Sequence, residues 1–148
     1  MDARLGRVTR EHEDIDIVFA KSQEAAYREL IGTLGFDKHE FTDYGFLSWR
    51  GCILLDSEPC FEIHGEYNFK HFPPGSCPLQ KQGIIEDYHV RCVSWEALYF
   101  EFLGNLDEIP QVQWRAKDFQ SLQLIETHLN ATKKQFLKDL YLNSQQSA

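Results

Sequence analysis

Two carboxylates one residue apart, Asp14 and Asp16, sit in the stretch EHEDIDIVF (11–19), and Ile17, Val18 and Phe19 follow at once. The alternation predicts a strand entering a buried sheet. Side chains at i and i+2 of a strand share a face, so the pair points one way with Cβ atoms roughly 6–7 Å apart. Carboxylates that close, at the mouth of an apolar strand, repel each other and lose solvation. A divalent cation between them removes both penalties. Mg²⁺ takes oxygen ligands, keeps several waters, and is commonly shared between one or two carboxylates and substrate phosphates. The other reading of these residues is a solvated acidic edge made of Glu11, Glu13, Asp14 and Asp16. Asp56, which ends CILLD (52–56), bears on the choice. A neighbouring strand would bring it to the same place, and three converging carboxylates can hold a metal and leave one to take a proton from a substrate hydroxyl. That is the chemistry of phosphoryl or nucleotidyl transfer.

The elements that must position these groups follow from pattern. Ser22 is placed to N-cap a helix carrying Ala25, Ala26, Leu30, Ile31 and Leu34 at helical spacing, with Gly35 as its stop. FTDYGFLSW (41–49) and CILLD read as two strands joined through Arg50-Gly51 as a hairpin. FEIHGEYNF (61–69) reads as another strand, and HVRCV (89–93) as a short one. HFPPGSCP (71–78) is irregular, because Pro73, Pro74 and Pro78 remove donors and fix φ. From Ser94 the pattern turns helical. Ser94 caps a helix with Trp95, Leu98, Tyr99, Phe102 and Leu106 along one side, broken at Asp107–Pro110. Two more helices are predicted at about 115–129 and 131–142. Their stripes are Leu122, Ile125 and Leu129, then Phe136, Leu137, Leu140 and Tyr141, and NSQQSA follows as a frayed tail. The expected fold is α+β: a mixed sheet region with flanking helices over residues 1–92, then a helical region over 93–148.

The totals narrow the partners. A chain of 148 residues with 43% hydrophobic and 14% aromatic residues can bury a core. A formal charge of -8 argues against a nucleic-acid groove and fits a small or cationic partner. No apolar run reaches the length of a membrane span and no signal-peptide core is present, so a cytoplasmic protein is expected. Cys52, Cys60, Cys77 and Cys92 show no CxxC spacing and read as reduced, mostly buried thiols. Cys60, His64 and His71 offer a zinc set on paper, against which ordinary packing roles are favoured.

DARLGRVTREHEDIDI, DYGFL, LLDSEP, PGSCP and VRCVSWEA, in that order, resemble successive blocks of the aminoglycoside 2''-O-nucleotidyltransferases. The likeness runs from Asp2 to about Leu124, and a more distant one extends to the lincosamide enzymes and the polymerase-β-like nucleotidyltransferase superfamily. It implies transfer of AMP from ATP, with Mg²⁺, to a hydroxyl of an aminoglycoside. By resemblance Asp14 and Asp16 are the metal-binding pair, and Asp56 is the third carboxylate and the general base. Glu58 and Glu101 are acidic groups toward a cationic antibiotic, and Tyr44 lines the same cleft. The family carries a glycine-rich segment after an N-terminal helix, just before the position of Asp2, where Met1 stands in this sequence. The expectation drawn from that departure is an N-terminally truncated member with an incomplete phosphate cradle. Such a member is expected to turn over poorly and to expose sheet that favours a homodimer. The alternative is a catalytically inactive binding module of the same fold.

Overall fold

Strand β4, Ile53–Ile63, organises one sheet, and the length of that strand sets the topology. The computed structural model describes residues 12–63, 66–69 and 81–146, together with Met1, Leu5 and Pro73. On one edge β4 pairs in parallel with β1, Ile15–Ala20. Its first half also pairs antiparallel with β3, Phe46–Arg50, and its end with β5, Glu66–Phe69. Strand β2, Lys38–Phe41, adds to β3, giving the order β1-β4-β3-β2. Helix α1, Glu24–Thr33, follows β1 and covers one face.

Alternation decides that face. Phe19, Phe46 and Leu55 are buried with Ile31 and Phe36, and Ile17 and Tyr27 pack against them. The rings of Phe19 and Tyr27 stack with centroids 4.8 Å apart. The expected helix exists, but Ser22 does not cap it. Ser22 lies in a 3₁₀ turn, Lys21–Gln23, and Gln23 is the N-cap without a side-chain bond. Nor do Leu30 and Leu34 face the core; both are exposed, and Tyr27 with Ile31 form the packed stripe. Gly35 is the stop, for a clear reason: its φ is +90°, and it closes a Schellman motif. Gly35 N–H donates to Gly32 O and Phe36 N–H to Ile31 O, each at 3.0 Å.

The hairpin expected from 41–56 is present with a shifted turn. Arg50 pairs with Ile53, so Gly51 (φ +60°) and Cys52 form the two-residue loop. Residues 41–45 do not continue β3; Phe41 ends β2, and 42–45 is a turn in which Thr42 N–H donates to Gly45 O at 2.9 Å. Cys52, Cys60 and Cys92 are thiols, with Cys52 exposed rather than buried. Cys77, His64 and His71, and most of the proline-rich stretch, lie outside the described residues.

The chain divides into two compact units, Glu11–Phe72 and Met1–Arg10 with Pro73–Ala148. The expected sheet region ran to residue 92. However, β6, Lys81–Ile85, and β7, Tyr88–Cys92, pair only with each other among the described residues and fall in the second unit. Their turn uses Glu86 and Asp87 at φ 45° and 69°. In this unit α2 is Trp95–Glu108, with Ala97 N–H donating to Ser94 Oγ at 3.2 Å, the expected cap. Helix α3 is Ala116–Thr127 and α4 is Ala131–Gln146. Helix α4 thus includes most of the expected tail, and Ser144 Oγ bonds back to Tyr141 O at 2.7 Å. Trp95, Tyr99, Ile125, Leu129 and Leu137 are buried as expected, whereas Phe136 is exposed. No helix among the described residues is long and apolar enough to cross a membrane.

Candidate active site

The sheet face opposite α1 carries the acids. Asp16 and Asp56 are partners in the parallel β1–β4 register, and Asp14 lies one alternation step before Asp16. One oxygen from each of Asp14, Asp16 and Asp56 lies within 4.8 Å of the others. The parallel pairing is what brings residues 40 positions apart into line, because it sets the start of β1 level with Leu55 and Asp56 of β4. Asp14 and Asp56 are half-buried and Asp16 is exposed, so the cluster opens to solvent on one side. Burial, and then the nearby negative charge of Asp14, hold the Asp56 carboxyl above the usual aspartate value.

This donor set fits a hard divalent cation. Three carboxylates offer oxygen only, the preferred ligand of Mg²⁺. Their span of at most 4.8 Å compares with about 4.2 Å between opposite oxygens of an octahedron with ~2.1 Å bonds. Small side-chain rotations close the difference. The exposed side leaves room for water and phosphate oxygens. Asp14, Asp16 and Asp56 are the residues that would hold the ion, and the burial and the Asp14 repulsion that together raise the Asp56 carboxyl are penalties that such an ion would offset.

The other expected residues are placed as follows. Glu58 lies two residues beyond Asp56 on β4, half-buried and on the same face by alternation. Tyr44 stands at the turn between β2 and β3, half exposed. Glu101 is an exposed residue of α2, in the other compact unit. Three residues that frame Asp56 were not anticipated: Tyr27, Gly45 and Ser57. Tyr27 Oη and Ser57 Oγ share a hydrogen bond at 2.7 Å. A Cβ on Gly45 would overlap the Ser57 carbonyl oxygen and lie 2.9 Å from Ser57 C and 3.1 Å from Glu58 Cα. Only the glycine in DYGFL hinted at this, as a mark of close backbone approach.

Known structures first define the class. The chain superposes on the crystal structure of ANT(2'')-Ia in complex with adenylyl-2''-tobramycin with a TM-score of 0.86 and 39% identity, over 96% of this chain and 82% of that one. The solution structure of the antibiotic-resistance factor ANT(2'')-Ia gives 0.87 and 38% over 99% and 79%. The fold is that of a nucleotidyltransferase, an enzyme class. Residues 1–117 match the model of the aminoglycoside-2''-adenylyltransferase family. Curated 2''-aminoglycoside nucleotidyltransferases of Escherichia coli and Klebsiella pneumoniae are 41% identical over 138 residues, 93% of this chain and 78% of theirs. The chain belongs to the aminoglycoside-2''-adenylyltransferase family.

Proposed function

We propose that this chain transfers the AMP moiety of ATP to a hydroxyl of an aminoglycoside, and so acts in antibiotic resistance. The observation that carries the reading is the meeting of Asp14, Asp16 and Asp56 within 4.8 Å at the edge of two parallel strands. Asp14 and Asp16 would hold Mg²⁺, with Asp56 completing the donor set. Such an ion, when bound, would supply positive charge that offsets the charge developing on the phosphate during transfer. Asp56 takes the proton of the acceptor hydroxyl. The acceptor oxygen then bonds to the α-phosphorus as the bond from that phosphorus to pyrophosphate breaks in line.

A cationic acceptor suits a chain of net charge -8. Within the sheet unit, Glu58 is the acidic group assigned to it, and Tyr44 offers an exposed ring for its sugar face. A relative of known structure, described with adenylyl-2''-tobramycin, supports this substrate class. ATP as donor places the work in the cytoplasm. Incubation with Mg-ATP and a panel of aminoglycosides tests the proposal. Release of pyrophosphate together with an acceptor heavier by one AMP is expected, and neither product from any member of the panel would overturn it.

A further inference from the structure

Ser57 separates the two acids of β4, Asp56 and Glu58, and its own side chain points to the opposite face of the sheet. It is fully buried. Two unrelated elements fix it. From α1, the Tyr27 hydroxyl shares a 2.7 Å hydrogen bond with Ser57 Oγ. From the β2–β3 turn, the Gly45 backbone lies so close to the Ser57 carbonyl that no side chain fits between them. The turn is itself braced, because Gly45 N–H donates to Thr42 Oγ1 at 3.0 Å. Tyr27 is held in turn by its stack on Phe19.

We infer that Tyr27 and Gly45 form a clamp on Ser57 that sets the direction of the Asp56 carboxylate toward Asp14 and Asp16, which makes Tyr27, Gly45 and Ser57 positioning residues for the acidic site. The reasoning is geometric. Asp56 has one peptide link to Ser57, so a shift or rotation of that peptide carries the carboxylate with it. The pairing of β4 with β1 and β3 limits translation of the strand. It does not fix the local pleat, whereas a hydroxyl bond on one face and a backbone contact from the neighbouring turn do. The clamp also explains why a buried serine stands where a sheet core ordinarily carries an apolar residue.

The inference rests on the metal-binding part of the proposed function, so its test reads metal binding apart from turnover. Mn²⁺ affinity of the nucleotide-free chain is measured by electron paramagnetic resonance for wild type, Tyr27→Phe, Ser57→Ala and the double variant, well below each melting temperature. Groups that orient metal ligands typically alter affinity by about tenfold or more when removed. Each single variant is expected to bind Mn²⁺ about tenfold more weakly, and the double variant no more weakly than either single one, since both remove the same bond. Gly45→Ala is expected to weaken binding at least as much. Should it fail to fold, the Tyr27 and Ser57 variants still decide the matter. Mn²⁺ affinity within twofold of wild type in both single variants would overturn the clamp, as would independent, additive losses. Weakened Mn²⁺ binding in a protein that transfers no AMP would leave the clamp standing and remove the transfer reading. Unchanged binding beside normal transfer would do the reverse.

Discussion

The proposed function gives Asp56 and the Asp14–Asp16 pair different roles, and substitutions that keep shape while removing charge separate them. Asp56→Asn should cut turnover far more than Mg-ATP binding, which should weaken by about tenfold, because the reading gives Asp56 the acceptor proton as well as one place in the donor set. Loss of a positioned base typically costs 10²–10⁴-fold, a roughly known range. Asp14→Asn and Asp16→Asn should weaken nucleotide binding and turnover together. Equilibrium binding of Mg-ATP alongside steady-state kinetics checks this division, and equal loss of ATP binding in all three variants would refute it. These three residues were legible in the sequence because strand alternation is a strict period of two and Asp56 ends an apolar run. Ser57, Tyr27 and Gly45 were not. Their roles depend on contacts between residues 30 and 12 positions apart, and no local pattern encodes such contacts.

Elements differ in how plainly their residues announce them. Strand β2, Lys38–Phe41, is exposed throughout and carries Lys38, His39 and Glu40. A charged edge strand has no apolar alternation to read, although such charges protect an edge from unwanted pairing. Strand β6 was hidden because its turn places Glu86 and Asp87 at positive φ, where glycine or asparagine is the usual signal. The Schellman motif after α1, by contrast, was visible in Gly35. Gly35→Ala must adopt φ near +90° and meets Arg50 Cδ at 3.1 Å. Thermal or denaturant unfolding should show a loss of about 1–2 kcal/mol. In the second unit Tyr141 Oη donates to Asp107 Oδ2 at 2.9 Å, tying α4 to the end of α2. Tyr141→Phe should therefore cost about 1 kcal/mol at neutral pH. Burial first, and the bond to Asp107 second, push the Tyr141 phenol from the ordinary 10.0 up to about 12. A value raised in the folded state means stabilisation that is complete below pH 10 and is lost as pH climbs through about 12. Melting temperatures of the two proteins should accordingly converge between those limits, and a gap that persists unchanged would contradict the assignment.

For the molecule as a whole, the fold class and the acidic face of its sheet were readable from pattern, while the grouping of the β6–β7 hairpin with the helices was not. That grouping reflects an absence of ladder bonds to the larger sheet among the described residues, which sequence alone does not display. Net charge acts at this scale too. An excess of eight negative charges should draw a polycationic acceptor, and salt should screen that attraction. KM for an aminoglycoside is expected to rise several-fold from low to high ionic strength, with kcat little changed. A KM indifferent to salt would place recognition in neutral contacts instead. The central claim, however, is that three carboxylates, Asp16 and Asp56 on two parallel strands and Asp14 just ahead of the first, move AMP onto a hydroxyl. Mass spectrometry of an aminoglycoside incubated with Mg-ATP and either wild type or Asp56→Asn tests it most directly. The account predicts an acceptor carrying one added AMP with the wild type and unmodified acceptor with the variant. Unmodified acceptor in both, or equal modification in both, would contradict it.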